Sequence, residues 1–201
     1  MNAFSSALAA ALALAAALPA ASSPAAAAPE RDSITFPMVV SAGAAACLKD
    51  ARATVIVSSV GPYENLTVLA RGLPPNTEFD LFTIQIPGAP FGVSWYVGDM
   101  KSDGFGVAVG DFAGRFSSET FVVSPDVTQP PWIHPGDARV GIKTAPIHTY
   151  HLGLWFNSPK DAKNAGCPDA VTPFNGEHNA GVQVLNTSTF PNLRGPLLQL
   201  R

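Results

Sequence analysis

Ile147-His-Thr-Tyr-His-Leu-Gly-Leu-Trp-Phe156 decides the fold class. Read at a period of two, it sends Tyr150, Leu152, Leu154 and Phe156 to one face and Thr149, His151, Gly153 and Trp155 to the other. The first set is apolar throughout and predicts a core face. A second stretch, Phe79-Asp-Leu-Phe-Thr-Ile-Gln-Ile86, is apolar on both faces, Phe79 and Leu81 on one and Phe82, Ile84 and Ile86 on the other. It therefore predicts a strand covered on both sides.

Working outward, similar short runs predict strands over residues 34–41, 53–60, 65–70, 93–97, 105–111, 119–124 and 181–186. Between them the chain is punctuated by 17 Gly and 19 Pro, too densely for long helices. Eight or nine short strands predict an all-β fold, an immunoglobulin-like or related β-sandwich. Lys101-Ser-Asp-Gly104 supplies an Asp-Gly turn that would join 93–97 and 105–111 as a hairpin. One short helix is predicted over 159–165: Ser158 caps it, Pro159 fits its first position, Asp161 suits its first turn and Gly166 closes it. Residues 125–146 lack periodicity and carry Pro130, Pro131, Pro135 and Pro146, which predicts a long loop of the kind that often holds function.

The amino terminus reads as an export signal. Residues 8–21 are an Ala and Leu run, no charged side chain precedes Glu30, and Ala25 and Ala27 fit the small-residue pattern cut by signal peptidase. Residues 1–27 are thus expected to be a signal peptide and 28–201 a single secreted, periplasmic or cell-surface domain with no membrane-spanning segment. In that setting Cys47 and Cys167 most simply pair with each other, closing a loop worth on the order of 4 to 5 kcal/mol in the chain-entropy account. Two free thiols or an intermolecular bridge are the alternatives. Net charge is -3 with charges scattered, which argues against a nucleic-acid partner.

Catalytic signals are thin. No serine sits in a nucleophile elbow. His148 and His151 are three apart, which sends them to opposite faces of a strand, so a metal site drawing on either with Glu177 and His178 is outweighed by hydrogen-bonded histidines. No metal and no cofactor are expected. Asn175-Gly-Glu-His-Asn179 makes Glu177 and His178 the acid/base candidates if the chain is an enzyme, against a polar hairpin tip. Asp99, Asp103, Asp111, Glu119 and Glu177 are the carboxylates whose convergence a hydrolase would need. Asp99 and Asp103 around Lys101 read as a turn rather than a calcium loop. Asn65 and Asn186 begin glycosylation sequons.

Aromatic residues carry the binding candidates. Trp132 and His134 lie in the Pro-rich loop, and Trp155 joins them as a third ligand-binding candidate, with Trp95 and Tyr96 as further rings that alternation can turn outward. Such rings suit a glycan or a cell-surface component.

Leu73-Pro-Pro-Asn-Thr-Glu-Phe79 resembles the corner that leads into a late strand of fibronectin type III domains, with Phe79 in place of the corner Tyr, so its hydroxyl is missing. The chain as a whole, especially residues 148–156 and 172–181, resembles a set of uncharacterised secreted microbial β-rich proteins. That resemblance implies no activity. The expected function is non-catalytic surface association or ligand binding, with an extracellular hydrolase acting on a polymer as the alternative.

Overall fold

A computed structural model describes residues 32–117, 121–122, 146–175 and 178–200. Its strands, in chain order, are β1 (Ser33–Val40), β2 (Arg52–Val60), β3 (Tyr63–Arg71), β4 (Glu78–Ile84), β5 (Ser94–Lys101), β6 (Ala108–Gly114), β7 (Phe121–Val122), β8 (Pro146–Ile147), β9 (His151–Phe156), β10 (Thr172–Asn175), β11 (His178–Ala180) and β12 (Gln183–Asn186). The helix α1 spans Pro159–Asn164, and a 3-10 turn, η1, spans Pro196–Gln199. The all-β expectation holds.

Eight strands form one antiparallel sheet in the order β5-β4-β9-β12-β1-β2-β3-β6. Its two edges, β5 and β6, are consecutive in the chain and their backbones pair only at a single bridge between Ser102, just past β5, and Ala108, so the sheet curls nearly into a barrel. The expected hairpin of 93–97 with 105–111 is therefore a turn without a paired ladder. β5 pairs with β4 and β6 pairs with β3 over seven residues, while the ring of Phe112 lies where a side chain at Gly98 would sit, 2.6 Å from an ideal Cβ. At the opposite side the sheet is narrow: β1 pairs with β12 through Val39 with Asn186 and Val40 with Leu185, and Ser41 N, just past β1, donates to Val184 O at 2.9 Å. Pro37 is placed where β1 has a neighbour on one side only, which suits a residue without an N–H.

Alternation explains the core. Ile34, Phe36 and Met38 of β1, Val55 and Val57 of β2, Leu66 and Val68 of β3, and Phe79 and Leu81 of β4 point inward to meet Leu152, Leu154 and Phe156 of β9. The residues between them on β1 to β3 face out. β4 is buried along all but its first residue, as its doubly apolar sequence predicts. The stretch 147–156 is divided, with β8 and β9 separated by His148, Thr149 and Tyr150. Residues 187–200 then cross one end of the sheet, where Phe190 packs edge-on to Phe36 at 6.2 Å and Leu197 and Leu200 are buried.

The helix forms as its caps dictate. The Asp161 N–H donates to Ser158 Oγ at 3.1 Å, Pro159 occupies the first turn, and Gly166 turns left-handed at φ 73° to end it. Cys167 follows at once and bonds to Cys47, the Cα atoms 5.2 Å apart. This pairing removes both alternatives for the two sulfurs. Among the described residues no helix is long and apolar enough to cross a membrane.

Candidate functional site

The outer face of β4 and β9 holds a second, smaller apolar cluster: Phe82, Ile84, Trp155 and Ala180, with Phe91 packed against them. Trp155 is its centre. Phe82 and Phe91 meet that ring edge-on at 5.5 and 5.0 Å, and Tyr96 meets Phe82 at 5.6 Å. Phe91 is brought there because residues 85–92 fold back after β4, with Gln85 N donating to Val93 O and Ile86 N to Phe91 O. The buried Gln85 amide holds the returning chain, its Oε1 accepting from Val93 N at 3.2 Å. Gly92 is required beside it: it adopts φ +72°, and a Cβ there would lie 2.2 Å from Gln85 Oε1.

Beside this cluster lies a cavity of about 730 Å³. Its walls come from three backbone segments, 41–43, 88–92 and 170–172, and Trp155, Val182 and Gln183 contribute from the strands. The polar side chains at its edge are largely committed to the fold. Asn186 Nδ2 donates to Pro87 O at 3.1 Å and to Gln183 Oε1 at 2.9 Å, its Oδ1 accepts from Ser188 N, Ser41 Oγ donates to Gln183 O, and Thr172 Oγ1 donates to Gly181 O. What remains to face a ligand is mostly Ala, Gly, Val, Pro and aromatic surface, a composition suited to an apolar guest. Asn186 is also buried, so its sequon amide is engaged in the fold, whereas Asn65 is exposed.

The residues expected from sequence fall unevenly around this site. Trp132, His134 and Glu177 lie outside the described residues, and of His178 only the backbone pairing with Asn175 in the β10–β11 hairpin is described. Trp155 borders the cavity, but it is fully buried and is not an outward ring. Alternation gives the direction of its side chain correctly; the chain that returns at 85–92 supplies the cover. Trp95 and Tyr96 are the outward aromatics of β5, 58% and 45% exposed.

His148 and His151, the histidines whose side chains are described, make separate contacts. His148 stacks flat on Tyr150 at 4.8 Å. His151 is buried, its Nδ1 2.8 Å from Thr187 Oγ1 and its Nε2 2.9 Å from Asn192 O. Nε2 also faces Pro191 O at 3.1 Å, and since carbonyl oxygens only accept, Nε2 carries a proton; in the neutral ring Nδ1 then accepts from the Thr187 hydroxyl, whose oxygen also accepts from Leu152 N. Burial pushes its pKa down, opposed by those hydrogen bonds. Among the described residues no three His, Cys, Asp or Glu side chains cluster as metal ligands.

Among the described residues, Asp99 of the expected carboxylates has a close partner in Asp80, which was not among them. Asp80 of β4 stands directly across from Asp99 of β5 and is fully buried. Burial, followed by the charge and hydrogen bond of Asp99, raises its pKa to about 7. Tyr96 Oη donates to Asp99 Oδ1 at 2.6 Å, and burial together with that carboxylate pushes the phenol upward. A lone Asp inside the apolar run 79–86 was the available signal. Asp80 is sealed from solvent and cannot touch a substrate, whereas Asp99 is exposed. Asp103 is a turn residue, as read, accepting from Phe105 N and Val107 N, and Asp111 accepts from Thr67 Oγ1. Glu119 lies outside the described residues.

No protein-family profile matches this chain, and no curated protein is significantly similar to it.

Proposed function

We propose that this chain is an exported, non-catalytic binding protein, and that the cavity beside Trp155 takes a small, predominantly apolar molecule from the extracellular medium. The cavity carries the reading: a concave, largely apolar space of about 730 Å³ falls within the size range of small-molecule sites. Two supports make its walls firm, the Cys47–Cys167 bond close behind residues 41–43 and the Gln85–Val93 clasp behind Phe91. Export is supported by the signal-like residues 1–27 and by that disulfide, a bond characteristic of oxidising compartments. We read the sheet as sandwich-like, two four-stranded halves, β1-β2-β3-β6 and β5-β4-β9-β12, sharing one core. The two-pair junction at Val39 and Val40 supports that reading.

Gly88 provides the test. It lines the cavity, and a Cβ built on it meets no atom within 4 Å, so a side chain can be started there without a clash. A neutral apolar dye such as Nile red is expected to bind the wild type at one saturable site, and Gly88→Trp to weaken it at least roughly tenfold with the melting temperature unchanged. Undiminished binding by a folded Gly88→Trp protein would remove the cavity from the account.

A further inference from the structure

On the outer face of β1, β2, β3 and β6, away from the cavity, Arg52 of β2 and Arg71 of β3 stand directly opposite one another. Like charges in that position repel, and the pairing is unfavourable unless something neutralises it. Among the described residues neither guanidinium has a carboxylate within ion-pair distance; Arg52 Nη1 donates only to the backbone oxygen of Asp50, at 2.8 Å. Asp50, the acid two residues before Arg52, meets it through its backbone oxygen and not through its carboxylate.

Around the two arginines the surface is apolar. Leu69 and Val109 pair across β3 and β6 and are 43% and 56% exposed, Val107 continues the same outward row, and Phe105, at the tip of the β5–β6 turn, is 92% exposed. A groove of about 490 Å³ runs between Pro37, Val39, Arg52, Thr54, Leu69 and Arg71. A nearly bare phenylalanine at a turn tip is costly in water, and beside two unneutralised guanidiniums it matches the composition of segments that settle into a lipid interface.

We propose that this face docks on an anionic lipid surface, with Arg52 and Arg71 taking lipid phosphates and Phe105, Val107, Val109 and Leu69 entering the interfacial layer. The partner is specified by two complementarities at once. Phosphate answers the paired positive charge, and the acyl boundary answers the apolar rim.

Vesicle co-sedimentation of the full chain tests it, comparing phosphatidylcholine alone with phosphatidylcholine containing one third phosphatidylglycerol. The wild type is expected to prefer the anionic vesicles and to lose that preference at 0.5 M salt. Arg52→Gln with Arg71→Gln should reduce binding to anionic vesicles roughly 30-fold, about fivefold for each basic residue removed from such a surface. Phe105→Ser should weaken binding without changing its salt dependence, and Lys160→Gln, an exposed charge on α1, should change nothing. Equal binding to both vesicle types, or an anionic preference that survives the double arginine variant, overturns the proposal. So does poly-glutamate binding as tightly as anionic vesicles, which would make the partner an acidic polypeptide. Unchanged thermal melting confirms that the exposed substitutions leave the fold intact.

Discussion

Asp80 and His151 set opposite pH dependences. The folded state holds the Asp80 proton up to about pH 7, whereas an unfolded Asp loses it near 4, so its contribution to stability is complete below about pH 4 and is lost as pH rises through 7. His151 works the other way. Its pKa is lowered in the fold, so its contribution is complete above about pH 6.5, the unfolded value, and is lost as pH falls below it. Asp80→Asn removes the first dependence and leaves the second. In urea unfolding the variant is expected to gain on the order of 3 kcal/mol over wild type at pH 8 and almost nothing at pH 4, its own stability then rising with pH through 6.5. Parallel pH profiles for the two proteins would show that Asp80 ionises freely in the fold.

At the scale of elements, the turn back at 85–92 brings Phe91 onto the Trp155 ring. Gly92→Ala forces an unfavourable left-handed conformation and pushes on Gln85, so it should cost about 2 to 3 kcal/mol and shift Trp155 emission to the red as Phe91 lifts away. A stable variant with unshifted emission would mean that the turn does not hold Phe91 in place. The same turn shows what was legible beforehand. α1 could be read because its signals are local: Ser158, Pro159 and Gly166 each act within four residues. The inward face of β9 could be read because alternation is local too. What covers its outer face could not, because that depends on chain returning from elsewhere, and period-two reading carries no record of where another segment will lie. The polar hairpin tip read at 175–179 joins β10 to β11, while Pro173 hid the strand that leads into it. Asp80 escaped notice because its partner, Asp99, becomes a neighbour only through the β4–β5 register.

For the molecule as a whole, the disulfide ties together parts of the sheet that hydrogen bonds join only narrowly. Cys47 follows β1 and Cys167 follows α1, 120 residues apart, and both lie near the junction where two residue pairs hold β1 to β12. Cys47→Ser with Cys167→Ser is expected to lower stability by roughly 4 to 5 kcal/mol, measured by denaturant unfolding at fixed pH. Hydrogen exchange should speed up first at Val39 to Ser41, ahead of β2 and β3. Uniform acceleration along the chain would instead mean that the junction opens no more readily than the rest.

The single bridge between Ser102 and Ala108 has a consequence for assembly. Because the two outermost strands turn toward each other and Phe112 plugs the space between them, neither offers a straight, open ladder to another molecule. Edge-to-edge addition of another strand would have to displace that ring first, a geometric form of the protection that charged side chains give to flatter sheets.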